Sequence, residues 1–124
     1  MSSGKITLEQ RKASLRYHVQ EYRKRRVIID TDAACEADDP FAIAQALMSK
    51  MLEVKGICAE HFVEEGSMEQ SYEMICRVTE AMGAEVPVLR GQTGKMSEHH
   101  GEPMTEAAQF IVGEAMKEDD KPLF

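Results

Sequence analysis

Between Arg26 and Ala46 the chain reads RVIIDTDAACEADDPFAIAQA, and this stretch limits the fold more than any other. Val27, Ile28 and Ile29 form a short β-branched run of the kind a buried strand requires. The run ends on Asp30, Thr31 and Asp32. Glu36, Asp38 and Asp39 follow a brief loop, and Pro40 opens a helical pattern. Proline suits the first helical position, where its missing N–H would have no partner anyway. Asp39 is therefore expected as the N-cap. Five carboxylates, Asp30, Asp32, Glu36, Asp38 and Asp39, fall within ten residues at the C-terminal end of a strand.

In open α/β sheets, ligands bind outside the carboxyl ends of the strands. Carboxylates this close repel one another unless a cation, protons or water offset the charge. A hard divalent cation with oxygen ligands is the simplest offset, Ca2+ first and Mg2+ second. A plainer reading is also open. Glu36 and Asp39 could cap the helix and Asp30 could be hydrogen-bonded in the sheet, since acidic residues suit helix N-termini. If a cation binds, it lowers the pKa of its water, and a nearby carboxylate can take the proton. From the residues alone this is metal-assisted hydrolysis of an unnamed substrate.

The rest of the chain alternates helix and strand. Residues 5–25 read as a polar leader with a helix from about Thr7 to Tyr17, opened by a Thr7/Gln10 capping box. The basic run Arg23 to Arg26 reads as a solvated lead-in to the first strand rather than an anion site. Phe41, Ala44, Met48 and Met51 follow helical spacing and predict a helix packed on the sheet. Leu52 to Ala59 predicts a second strand, ending at Glu60, His61 and Phe62 on the ligand face. His61 is a candidate for a substrate hydroxyl, although a lone His at a strand end is more often structural. Ser67 and Gln70 predict a capping box for a helix that runs to Gly83, placed at the left-handed end. Val86 to Leu89 predicts a third strand.

Residues 92–104 read as a long loop. His99 and His100 tempt a zinc reading, but adjacent side chains diverge and no Cys or third His accompanies them. A last helix is expected from about Thr105, with Ala108, Ile111, Val112, Ala115 and Met116 on its apolar face. Pro122 to Phe124 resembles the entrance to a fourth strand. The alternation argues for a parallel sheet in the α/β class with right-handed crossovers.

Composition narrows the function. Hydrophobic residues make up 43% and charged residues 30%, as in a globular domain. The net charge of −7 argues against a nucleic-acid partner. No apolar run approaches a membrane span, and MSSGKITLEQRK lacks the apolar core of a secretory signal. Cys35, Cys58 and Cys76 have no metal-type spacing and are odd in number, which suits a reducing cytoplasm. The Gly pattern of a dinucleotide site is missing after the first strand.

The run D-T-D, the loop ending Cys35-Glu36-Ala37, the D-D pair and the amphipathic helix resemble the nucleoside hydrolase family, of the inosine/uridine-preferring type. The likeness is greatest to members with a longer loop and a Glu before the Asp pair. It continues through LEVKGICAEHF, SMEQSYEMICRV, VPVLRG and EAAQFIVGEAMKEDDKPLF, and so covers nearly the whole chain. The resemblance implies a parallel Rossmann-like sheet with helices on both faces. It also implies Ca2+-dependent cleavage of the N-glycosidic bond of ribonucleosides.

Carried over by position, Asp32 would be a metal ligand and the general base, and Asp39 a second metal ligand. Asp38 would hydrogen-bond a ribose hydroxyl, Glu36 would approach the sugar, and Asp30 would support the loop. The chain departs from the pattern at Ala33-Ala34-Cys35, where relatives tend to carry Gly or Asn. Family members are also much longer. Residues 26–124 are thus expected to be the N-terminal part of such a domain, cut off after a third full strand and the entrance to a fourth. A partial site, weak or absent activity, an unpaired edge along Val27–Ile29 and self-association are expected in turn.

Two other readings stay open. One is a phosphohydrolase of the haloacid dehalogenase type, with Asp30 as nucleophile. The other is a catalytically silent fragment that binds metal or serves in assembly.

Overall fold

The computed structural model describes residues 4–98 and 101–124, so His99 and His100 lie outside the described residues. Three parallel strands form the sheet: β1 (Arg25–Thr31), β2 (Leu52–Ala59) and β3 (Val88–Arg90), in the order β1-β2-β3. The Val27–Ile29 run lies inside β1, and β2 has the bounds its pattern predicts. Pairing of β1 with β2 shifts between Val27 opposite Val54 and Ile28 opposite Gly56, which leaves Lys55 as a bulge. The third strand starts later than Val86. Pro87 has no N–H to donate, but its carbonyl accepts from Ile57 N at 2.9 Å, so the ladder begins there.

Strand alternation divides the core in two. Ile57 and Ala59, with the half-buried Ile29, Val54 and Val88, pack against α2 (Asp38–Met48) and α3 (Ser67–Met82) through Ile43, Leu47, Met68 and Ile75. Cys58, Leu89 and the half-buried Ile28 pack on the other side against Ala107 and Phe110 of α4 (Glu106–Ala115). Helices therefore cover both faces of a parallel sheet, the arrangement that keeps such a sheet buried. Among the described residues no helix is long and apolar enough to cross a membrane.

Several local expectations change. Helix α2 starts at Asp38, with Ala37 as an N-cap that makes no side-chain bond, so Asp39 sits in the first turn and is not the cap. Pro40 is tolerated there because first-turn amides have no intrahelical partner. Ile43 and Leu47, one turn apart, face the core, while Phe41 is 77% exposed and Met51 falls outside the helix. Gly66, in the left-handed region, precedes α3 instead of a Ser67/Gln70 box. Ser67 Oγ instead accepts from Phe62 N at 2.8 Å and donates to Phe62 O at 3.1 Å, closing the loop before the helix.

The leader helix α1 (Leu8–Ala13) does carry the Thr7/Gln10 capping box but is shorter than predicted. It docks on the end of α3, where Leu8 N donates to Gly83 O at 2.9 Å. Gly83 has φ 68°, and a Cβ there would lie 2.3 Å from Ile6 O.

Helix α4 is rotated from the expected face. Ala107, Phe110 and Glu114 turn inward, and Ile111, Val112 and Met116 are exposed. The cause lies on β2. A Cβ on Gly56 would sit 2.4 Å from the Phe110 ring, so the bare glycine backbone is the seat of that ring.

The far edge of β1 is not open along its whole length, contrary to expectation. Leu123 bridges Arg26 in parallel, and Ile28 N donates to Phe124 O at 2.8 Å. Nor is the basic run wholly solvated. Arg26 is only 4% exposed, and its Nε donates to Lys121 O at 3.0 Å.

Candidate functional site

The acidic loop leaves β1 at Thr31 and enters α2 at Asp38. Cys35 N donates to Asp32 O at 2.7 Å, which turns the chain back. Ala33 is 1% exposed and belongs to the core shared with Met68. Ala34 N donates to Ser71 Oγ at 3.4 Å, tying the loop to α3. Small side chains are needed where the loop passes this close to α3, which accounts for Ala33-Ala34. Thr31 Oγ1 donates to Asp39 Oδ2 at 2.5 Å, so the end of the strand holds the first turn of α2 in place. Asp32 and Asp39 are half-buried, whereas Asp30, Glu36 and Asp38 are exposed.

Strand β2 delivers a sixth carboxylate, one that sequence reasoning placed at the strand end without a role. Thr31 pairs with Ala59, and Glu60 N donates to Thr31 O at 2.9 Å. The carboxyl groups of Glu60 and Asp30 line the same cleft at these neighbouring strand ends. The carboxyl group of Asp30 beside it, then burial, then the charges of Asp30 and Asp32 push Glu60 up from 4.5 to about 7. A carboxylate crowded by like charge keeps its proton to higher pH. The signal available in the sequence was geometric: parallel neighbours end level, so the residue after Ala59 lands beside Asp30 and Thr31.

Two thiols report the same negative field. Cys35 is raised by desolvation of its sulfur, then by the charges of Asp32, Glu36, Asp39 and Glu64. Cys58, under the strand ends, is pushed up to about 11 by burial first, then by Asp30, Glu60 and Glu106. Neither thiol is activated as a nucleophile.

A cleft of about 320 Å³ opens beside these groups, with Asp30, Glu60, His61, Gln92 and Thr105 on its walls. His61 is half-buried, with Nδ1 3.3 Å from Phe62 O. It also borders a second cleft along 61–65 and 93–98. A larger cavity, about 550 Å³, lies around Leu8, Glu53 and Gly83, where β2 begins, and is remote from the acidic loop.

Searches of protein-family models, curated proteins and solved structures find no match to this chain. The site must therefore be read from its own chemistry. The donors are all carboxylate oxygens, a set that suits a hard cation such as Ca2+ or Mg2+. Among the described residues, no three His, Cys, Asp or Glu side chains converge as a metal site. The carboxylate chemistry suits a hard cation, while the side chains are not gathered round one point.

Proposed function

We propose that the acidic end of this sheet is the cation and sugar site of a nucleoside hydrolase-like protein, directed at the N-glycosidic bond of ribonucleosides. The observation that carries the reading is that Asp30 and Glu60 line one cleft at adjacent, level strand ends, next to the loop that bears Asp32. Like charges are crowded at the ligand-binding edge of a parallel sheet, where a divalent cation relieves them best. The substrate class comes from the resemblance of D-T-D, Glu36 and D-D to that family.

Asp32 and Asp39 would hold Ca2+, with Mg2+ as the alternative ion. When bound, the ion supplies positive charge that acidifies water and gathers ribose hydroxyls. Asp32 takes the proton of the attacking water as general base. Asp38 and Glu36 accept hydrogen bonds from ribose hydroxyls, and Asp30 supports the loop. The departing base leaves positive charge on the sugar, and the surrounding carboxylates stabilise it. A partial shell means weak cation binding and little turnover by this chain alone.

The same partial shell favours a second reading, a silent metal-binding or assembly module. The phosphohydrolase reading is weaker, because it leaves the Asp38-Asp39 pair without a role.

Calorimetric titration with Ca2+ tests the proposal. The wild type is expected to bind and Asp39→Ala to lose most of the heat. Equal binding by both proteins would remove the assignment.

A further inference from the structure

The amides of β1 point alternately to its two sides. Arg25 N donates toward β2, to Met51 O at 2.8 Å. Arg26 N and Ile28 N donate the other way, to Pro122 O at 3.2 Å and Phe124 O at 2.8 Å, and Phe124 N returns a bond to Arg26 O at 2.8 Å. The segment 117–124 that supplies these partners has no fully buried side chain. Pro122 and Phe124 are exposed, and Leu123 is half-buried. Apolar burial, which gives the core its resistance to opening, is therefore largely missing here.

Charge takes its place. The guanidinium of Arg26 is buried under the segment. Its Nε reaches Lys121 O at 3.0 Å and Asp119 Oδ2 at 3.6 Å. Its Nη1 reaches Glu114 O at 3.4 Å and Glu114 Oε2 at 4.0 Å. Lys121 Nζ in turn bridges Glu21 of the leader and Glu53 of β2, each at 2.7 Å. Asp119 Oδ1 accepts from Lys121 N at 2.9 Å, which folds the segment around its own charges.

We propose that residues 117–124 form a strap that opens as a unit ahead of the rest of the sheet, and that Arg26 is the catch that holds it shut. Opening bares the far edge of β1, the strand that leads into the acidic loop. The planar fork of arginine suits this catch because it bonds two carbonyls and faces two carboxylates from one position. A lysine keeps the charge and loses the fork.

Hydrogen exchange followed by NMR on the full chain tests this with Arg26→Lys. The Ile28 and Phe124 amides are expected to exchange about tenfold faster, the equilibrium equivalent of one charged hydrogen bond. The amides of Arg25, Ile57 and Gly91, which donate to Met51, Pro87 and Ala59, are expected to keep their wild-type rates. Unchanged strap amides, or an equal acceleration everywhere, would overturn the proposal. Lys121→Met, altered at the strap's own side chain, provides the same comparison if Arg26→Lys fails to fold. It should speed the two strap amides about threefold, as the loss of an ion pair near the surface implies. The same two contrary patterns would overturn the proposal there too.

Discussion

Replacing Glu60 with Gln should remove a pH dependence of stability built into the acidic strand ends. In the folded chain Glu60 is raised from 4.5 to about 7, chiefly by the carboxyl group of Asp30 beside it. The folded state therefore holds a proton that the unfolded state gives up. That contribution is complete below about pH 4.5 and is lost as the pH rises through 7. The unscreened ceiling is ~3 kcal/mol. The pair is largely exposed, and solvent screening reduces this to ~1 kcal/mol. Wild-type stability measured by urea unfolding should thus fall by ~1 kcal/mol between pH 5 and pH 8 on account of this group alone. Glu60→Gln should lack that slope and, at pH 8, melt roughly 4 °C higher than the wild type. The difference between the two proteins isolates Glu60 from every other titrating group. Ca2+ should also raise wild-type stability more at pH 8 than at pH 5, because the ion favours ionised Glu60. Identical pH slopes in the two proteins would refute the raised Glu60 and the crowding of carboxylates behind it.

Gly56→Ala should cost ~1–3 kcal/mol in chemical denaturation, because the added carbon meets the Phe110 ring. Wild-type stability would show that the ring can move off β2. If the proposed function holds, the chain should release little or no free base from inosine or uridine, because among the described residues no three acidic, His or Cys side chains converge as a metal site. Turnover at ordinary enzyme rates, read by product chromatography, would contradict this. The chain should also self-associate at micromolar concentrations, because Phe41, Val112, Met116 and Phe124 are exposed and the strap pairs with β1 only as far as Ile28. A monomer in light scattering across that range would count against it.

Local signals in the sequence located the elements, and long-range contacts decided how those elements face one another. The bounds of β2, the Thr7/Gln10 capping box and the left-handed Gly83 were legible because each depends on a few neighbouring residues. The rotation of α4 was not, because it depends on Phe110 finding the missing side chain of Gly56 across the sheet. Burial of Arg26 escaped for the same reason, since Glu114, Asp119 and Lys121 lie at the other end of the chain. Within the candidate site, Asp30, Asp32 and Asp39 were legible from spacing and strand position. The bond from Thr31 to Asp39 displaced the expected N-cap, because a strand-end hydroxyl competes with helix amides for the same carboxylate. Glu60 was placed at a strand end by the sequence, but its closeness to Asp30 emerged only once β1 and β2 were paired level at Thr31 and Ala59.

A hard cation is proposed to bind at the acidic strand ends, and paramagnetic mapping tests where it sits. Mn2+ shares the oxygen preference of Ca2+ and Mg2+ and broadens NMR signals close to it. Titrated into the labelled chain, it should first erase the amides of Asp32, Cys35, Asp39 and Glu60, and added Ca2+ should restore them. Broadening centred instead on the acidic residues near the start of β2, Glu53 and Glu85, with the Asp32–Asp39 amides intact, would contradict the account.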